Sequence, residues 1–157
     1  MTSAEHQLNI HVERVVPAPR PLVFRVSTVP EDLARWWGPK GFNIPSVSVD
    51  LRVGGAYRIT MQPPEGERFV LSGEFRDVVA PERLEYTFNW EPPDPDDRET
   101  VVVFSLRDRG DFTEVAVDQG MFATEARRAL HEGGWTESLE RLEGFIRSRA
   151  QYGHNAE

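Results

Sequence analysis

The sequence predicts an α+β fold: a curved antiparallel sheet of about six to seven strands gripping one long C-terminal helix, with two short helices after the first strand. Three observations predict it. Apolar and polar residues alternate through most of residues 46–119, the period of half-buried strands. The period then changes: Trp135, Leu139, Leu142 and Ile146 fall at i, i+4, i+7 and i+11, one stripe of a helix. A sheet with one apolar face must bury it, and this helix is the cover available.

The elements follow in order. Leu8, Ile10 and Val12 alternate with polar residues as a first strand, which Pro17 and Pro19 end. Pro21 to Ser27 carries Leu22, Val23 and Val26, the spacing of a short amphipathic helix. A second short helix has Pro30 in its first turn, Glu31 and Asp32 at its positive end, and Leu33 and Trp36 turned inward; Gly38-Pro39 stops it. Ser46–Leu51 and Ala56–Met61 read as strands joined through a tight turn at Gly54-Gly55. Phe69, Leu71, Gly73 and Phe75 share one face of the next strand. Leu84, Tyr86, Phe88 and Trp90 follow, then Val102, Phe104 and Leu106, then Thr113, Val115, Val117 and Gln119. Between the last two helical segments, Gly133-Gly134 is expected to break the chain. That leaves a helical turn over 123–130 and a long helix from about Gly134 to Arg149.

Length fits one domain, 1–157, with its core at about 8–149. Hydrophobic residues make up 39% and charged residues 28%, a globular composition. The net charge of −8 argues against a nucleic-acid partner and against anionic membrane surfaces. There is no cysteine, which excludes disulfides, thiol catalysis and cysteine-ligated metals. The four histidines are scattered without metal-ligand spacing, so neither a metal nor another cofactor is expected. The first residues lack the basic start and apolar run of a secretion signal, and no apolar stretch has the ~18 residues of a membrane span. The expectation is a cytoplasmic protein.

An ordered set of short segments carries a family resemblance. They are Trp36-Trp37-Gly38-Pro39, Asp50 to Tyr57, Gly73-Glu74-Phe75 leading to Pro81-Glu82-Arg83-Leu84, and His131 to Trp135 leading into Leu139 and Leu142. Together they resemble the START-like (SRPBCC) superfamily. The nearest branch is the domain similar to the C-terminal part of the activator of the heat-shock protein 90 ATPase. The resemblance covers about residues 8–146. It implies the helix-grip fold, often a cavity between sheet and long helix, and apolar ligands such as lipids, sterols or polyketides. It also implies two alternatives: an enzyme of the cyclase, dehydratase or hydrolase type in the same cavity, or a chaperone-type adaptor in a stress response.

The residues themselves suggest a site for a small apolar or aromatic molecule between sheet and helix. Tyr86, Phe88, Phe104, Val117 and Leu139 would form its walls, with Trp135 near the entrance. Gln119 continues the inward parity of Val115 and Val117. A buried amide needs a hydrogen-bond partner, so Gln119 is the expected polar anchor. His131, just before the expected long helix, reads either as an acid–base group at the pocket mouth or as a solvated loop residue. Trp36-Trp37 reads either as a ligand-facing wall or as one core residue and one loop anchor. Glu74, Glu85, Glu114 and Asp118 have outward parity and belong to the solvated face. No nucleophile elbow or phosphate loop is present.

Overall fold

The computed structural model describes residues 8–156, and side chains up to residue 149. Seven strands form one antiparallel sheet. They are β1 (Ile10–Val16), β2 (Asn43–Val49), β3 (Ala56–Gln62), β4 (Phe69–Val79), β5 (Arg83–Glu91), β6 (Thr100–Arg109) and β7 (Phe112–Gly120). Their spatial order is β1-β7-β6-β5-β4-β3-β2, so the first two strands lie at opposite edges. The connection between them carries the two short helices, α1 (Arg20–Val26) and α2 (Pro30–Trp36). α1 packs on β6 and β7, and α2 packs on β2 and the long helix α3 (Glu125–Ala156).

The inward parity of each strand meets the helix stripe. Leu84, Tyr86, Phe88, Val102, Phe104, Leu106, Val115 and Val117 are buried in one cluster with Trp135, Leu139, Leu142 and Ile146. The sheet curls around α3, which gives the helix-grip architecture. One source of curl is a local departure from the ladder between β4 and β5. Thr87 is buried although its neighbours Tyr86 and Phe88 face inward too. Its hydroxyl accepts the Glu74 backbone N–H at 2.9 Å, and its carbonyl accepts the Tyr57 hydroxyl at 2.6 Å. Gly73 permits this approach, since a Cβ there would lie 1.8 Å from the Thr87 carbonyl oxygen.

Three expectations are corrected. Gly133-Gly134 does not break the helix, and α3 is continuous from Glu125. Two helix-interior glycines cost about 1 kcal/mol each relative to alanine. Burial of His131 and Trp135 on either side outweighs that cost. Thr124 starts α3, its hydroxyl accepting the Arg127 N–H at 3.1 Å as an N-cap does. The other end runs past Arg149 to Ala156. Finally, β2 ends at Val49 rather than Leu51, because residues 50–55 form a wide turn. Gly54 has φ +84°, whereas Gly55 is required for space: a Cβ there would lie 2.1 Å from the Asp50 carbonyl. Arg52 pairs with Asp50 at 3.0 Å within that turn.

Leu142 is fully buried on the helix stripe. Leu142→Ala should lower unfolding free energy by about 2–5 kcal/mol in a denaturant titration. A loss below about 1 kcal/mol would contradict the packing described.

Candidate functional site

A mainly apolar cleft of about 330 Å³ lies at one end of the grip. It lies between the N-terminal half of α3, the facing ends of β3, β4 and β5, and the loop that follows α2. Its floor and walls are mainly apolar: Trp37, Phe42, Met61, Leu71, Phe88, Trp90 and Trp135, with Phe69 and Leu130 half exposed at the mouth. The helix contributes residues 127, 130, 131, 134, 135 and 138, one face at helical spacing. Gly134 sits in the middle of that face, and a Cβ there would have nothing within 4 Å. The glycine that sequence reading took as a helix break thus leaves the cleft open.

The loop after α2 forms the opposite wall and is fixed to α3 by polar contacts. Arg141 Nη1 donates to the carbonyls of Trp37, Gly38 and Pro39 at 2.9–3.0 Å. The Gly38 N–H donates to Ser138 Oγ at 3.1 Å, and the Lys40 N–H donates to Glu137 at 2.9 Å. Burial of the Arg141 guanidinium lowers its pKa from the ordinary arginine value. On the rim, Arg127 reaches Asp94, Asp96 and Asp97 at 2.5, 3.1 and 3.2 Å, which holds the acidic β5–β6 loop against α3.

The sequence-predicted site residues divide between places. Phe88, His131 and Trp135 line the cleft. Tyr86 and Phe104 line a separate chamber of about 30 Å³ deeper in the grip. Val117 and Leu139 are fully buried core residues that line neither. Gln119, expected to anchor a ligand, instead organises the core. Its Oε1 accepts the Trp135 indole N–H at 2.8 Å, and its Nε2 donates to Thr100 Oγ1 at 2.9 Å. The inward amide found its partners in protein, and the effect is to orient Trp135 as a cleft wall. Of the Trp pair, Trp36 is a core residue with its N–H on the Val26 carbonyl, while Trp37 faces the cleft. Residues missed by sequence reading are Phe42, Met61, Gly134, Ser138 and Arg141. Only Gly134 and Ser138 carried a signal, as small residues on the apolar stripe of the helix.

His131 lies within α3, not before it, and is buried. Its ring stacks among Phe122, Phe88 and Trp90 at centroid distances of 4.8, 5.3 and 5.8 Å. Nε2 accepts the Trp90 indole N–H at 3.3 Å, which requires the tautomer protonated at Nδ1. Burial, with Arg127 adding repulsion, lowers its pKa to about 4. The arrangement makes His131 a neutral wall group with a donor at Nδ1. Among the described residues, no group of three or more carboxylates and histidines could hold a metal ion.

A curled seven-stranded sheet gripping a C-terminal helix, with an apolar cleft at one end, defines the class of fold. The particular family follows from the sequence: the chain belongs to the family described as Activator of Hsp90 ATPase homolog 1-like protein, whose model matches residues 17–147. Among solved structures, protein NE0264 from Nitrosomonas europaea is 31% identical. The match covers 93% of this chain and 98% of that one with a TM-score of 0.77. The AHSA1 protein (SPO3351) from Silicibacter pomeroyi is 27% identical over 90% and 99%, with a TM-score of 0.78. A protein from Arthrobacter aurescens shares the fold at 21% identity over 91% and 88%, with a TM-score of 0.80. No curated protein matches. No helix among the described residues is long and apolar enough to cross a membrane. The family supports a ligand-binding or adaptor-type domain.

The sign of the His131 shift fixes a pH dependence. Its folded-state pKa lies below the unfolded value of 6.5, so the unfolded chain takes up the proton first as pH falls. Above about pH 6.5 His131 leaves stability unchanged, and between there and about pH 4 it lowers stability, by about 3 kcal/mol in full. His131→Gln should flatten the stability–pH curve in that window in urea titrations. An unchanged curve would contradict a neutral buried imidazole.

Proposed function

We propose that this protein binds a small, mainly apolar or aromatic molecule in the cleft between the β3–β5 ends and α3. The observation that carries the reading is the cleft's aromatic lining around Gly134, a glycine kept in the interior of a long helix facing the cavity. The volume of about 330 Å³ suits a molecule of two or three rings or a medium acyl chain. Alongside the aromatic wall the cleft carries neutral polar groups on Trp37, His131 and Ser138, and charged residues at Glu67, Arg68, Glu91, Asp94, Asp97 and Arg127. Binding is favoured over catalysis because the His131 Nε2 lone pair is already engaged by the Trp90 N–H, leaving that ring nitrogen no free lone pair with which to accept a substrate's proton.

Gly134→Leu tests the reading directly. A Cβ at this position meets nothing within 4 Å, the residue lines the cleft, and leucine is the better helix former by about 1 kcal/mol. Wild-type protein should show a raised melting temperature with at least one compound in a screen of fatty acids, sterols, flavonoids and polyketide-like aromatics. A ligand at 100 times its Kd stabilises by about 2.7 kcal/mol. Gly134→Leu should fold with equal or higher stability and lose the shift. A ligand bound equally by both proteins would place the site elsewhere.

A further inference from the structure

Beside the cleft lies the smaller chamber of about 30 Å³, lined by the residues that follow α1, by α2 and Trp37, and by single residues or pairs from β2, β3, β4, β5 and β6. It is uncharged throughout, yet it contains a hydrogen-bonding group with no partner. Ser27, 8% exposed, has a hydroxyl that makes no hydrogen bond. Tyr86, 6% exposed, borders the same chamber, and its neighbour Tyr57 donates its hydroxyl to the Thr87 carbonyl. A buried hydroxyl without a partner costs about 1–3 kcal/mol, so Ser27 Oγ calls for one, and the Tyr86 phenol lines the same chamber. Burial pushes the Tyr86 phenol well above its ordinary pKa, so it keeps its proton and can donate.

Trp37 is the wall common to chamber and cleft. Its attachment differs from that of the other tryptophans. Trp36, Trp90 and Trp135 each donate an indole hydrogen bond, to the Val26 carbonyl, His131 and Gln119. The Trp37 N–H has no partner among the described residues, and the ring is held only by packing, edge-on to Trp135 at 5.0 Å. The indole that separates the two spaces is thus the one not pinned by a hydrogen bond.

We infer that the chamber is a polar subsite: the ligand of the cleft reaches past Trp37 and places a terminal neutral oxygen, a hydroxyl or carbonyl, on Tyr86 and Ser27. The volume admits one oxygen-sized group. Neutrality follows from the lining. With no cationic side chain there, a carboxylate would be buried without a counter-charge, which costs far more than one hydrogen bond returns. The ligand class is therefore an elongated apolar molecule ended by an alcohol, phenol or ketone, not a fatty acid anion. This inference rests on the cleft being a ligand site and adds the end group that the site selects.

Biphenyl, 4-hydroxybiphenyl and biphenyl-4-carboxylate serve as probes of matched shape, with binding measured by titration calorimetry at pH 7. Wild-type protein should bind 4-hydroxybiphenyl about five- to tenfold more tightly than biphenyl, the worth of one neutral hydrogen bond, and the carboxylate least well. Tyr86→Phe should remove that advantage and leave biphenyl affinity within about twofold. Ser27→Ala, a smaller change, should reduce it in the same direction and keeps the test intact if Tyr86→Phe folds poorly. Equal binding of biphenyl and 4-hydroxybiphenyl by wild type would overturn the subsite while leaving the cleft reading standing. So would a hydroxyl advantage unchanged in both variants. Binding of none of the three would overturn both.

Discussion

One cation holds the site together. The Arg141 guanidinium, on the second half of α3, donates to three successive carbonyls of the loop that leaves α2. Those carbonyls belong to the chain that leaves a seven-residue helix, and they converge on one point. No carboxylate among the described residues pairs with Arg141, and its positive charge is balanced by backbone dipoles alone. A charge-assisted hydrogen bond is worth about twice a neutral one, and three of them converge here in a half-buried setting. The consequence reaches further than the loop. β2 is the last strand of the sheet on its side, and it begins where this loop ends. Fixing residues 37–42 on α3 therefore fixes how far the sheet edge curls toward the helix, and it sets Trp37 between cleft and chamber.

The second constraint is curvature, which sets the depth of the grip. Between β4 and β5 the register skips a residue near Arg76, and close to it Thr87 substitutes side-chain and phenol contacts for ladder hydrogen bonds. Both departures let the sheet bend without leaving backbone groups unpaired. Tyr57, Phe75 and Tyr86 pack ring to ring at 5.1–5.9 Å on the inside of that bend. Bulky rings on the concave side keep the sheet from collapsing onto the helix. That is why space survives at the cleft end and in the inner chamber while the centre, around Val117 and Leu139, is solid.

The fold was legible because its signals are periodic. Every inward position named from strand parity on β5, β6 and β7 up to Phe88 is buried, and so is the helix stripe. The site was legible only in part, and the misses share a cause. Parity reports which side of a sheet a residue faces, but not whether the space there is filled. Phe88 and Leu139 carry the same apolar signal; one lines the cleft and the other is sealed. Gln119 put a polar group on the inward parity and so stood out, but a polar group facing inward finds whichever partner is nearest, and Trp135 was within reach. Arg141 gave no signal at all, because an arginine on a helix reads as solvated until the loop it clasps is known. Continuity of α3 was missed because glycine propensity was weighed without the tertiary packing that overrides it.

Gly134 shows how these levels connect. Local propensity disfavours it, binary patterning would put a larger apolar residue between His131 and Trp135, and a Cβ there would meet nothing within 4 Å. A core optimised for stability alone would fill that position. The same holds for Ser27 and Tyr86, whose hydroxyls could be deleted at little cost to shape, and for Trp37, whose indole lacks the acceptor that each other tryptophan has. Each of these residues departs from its own local rule, and each borders either the cleft or the chamber, which share Trp37 as a wall. Departures scattered through a fold would read as tolerated imperfections, whereas these gather at two adjoining spaces on either side of one indole.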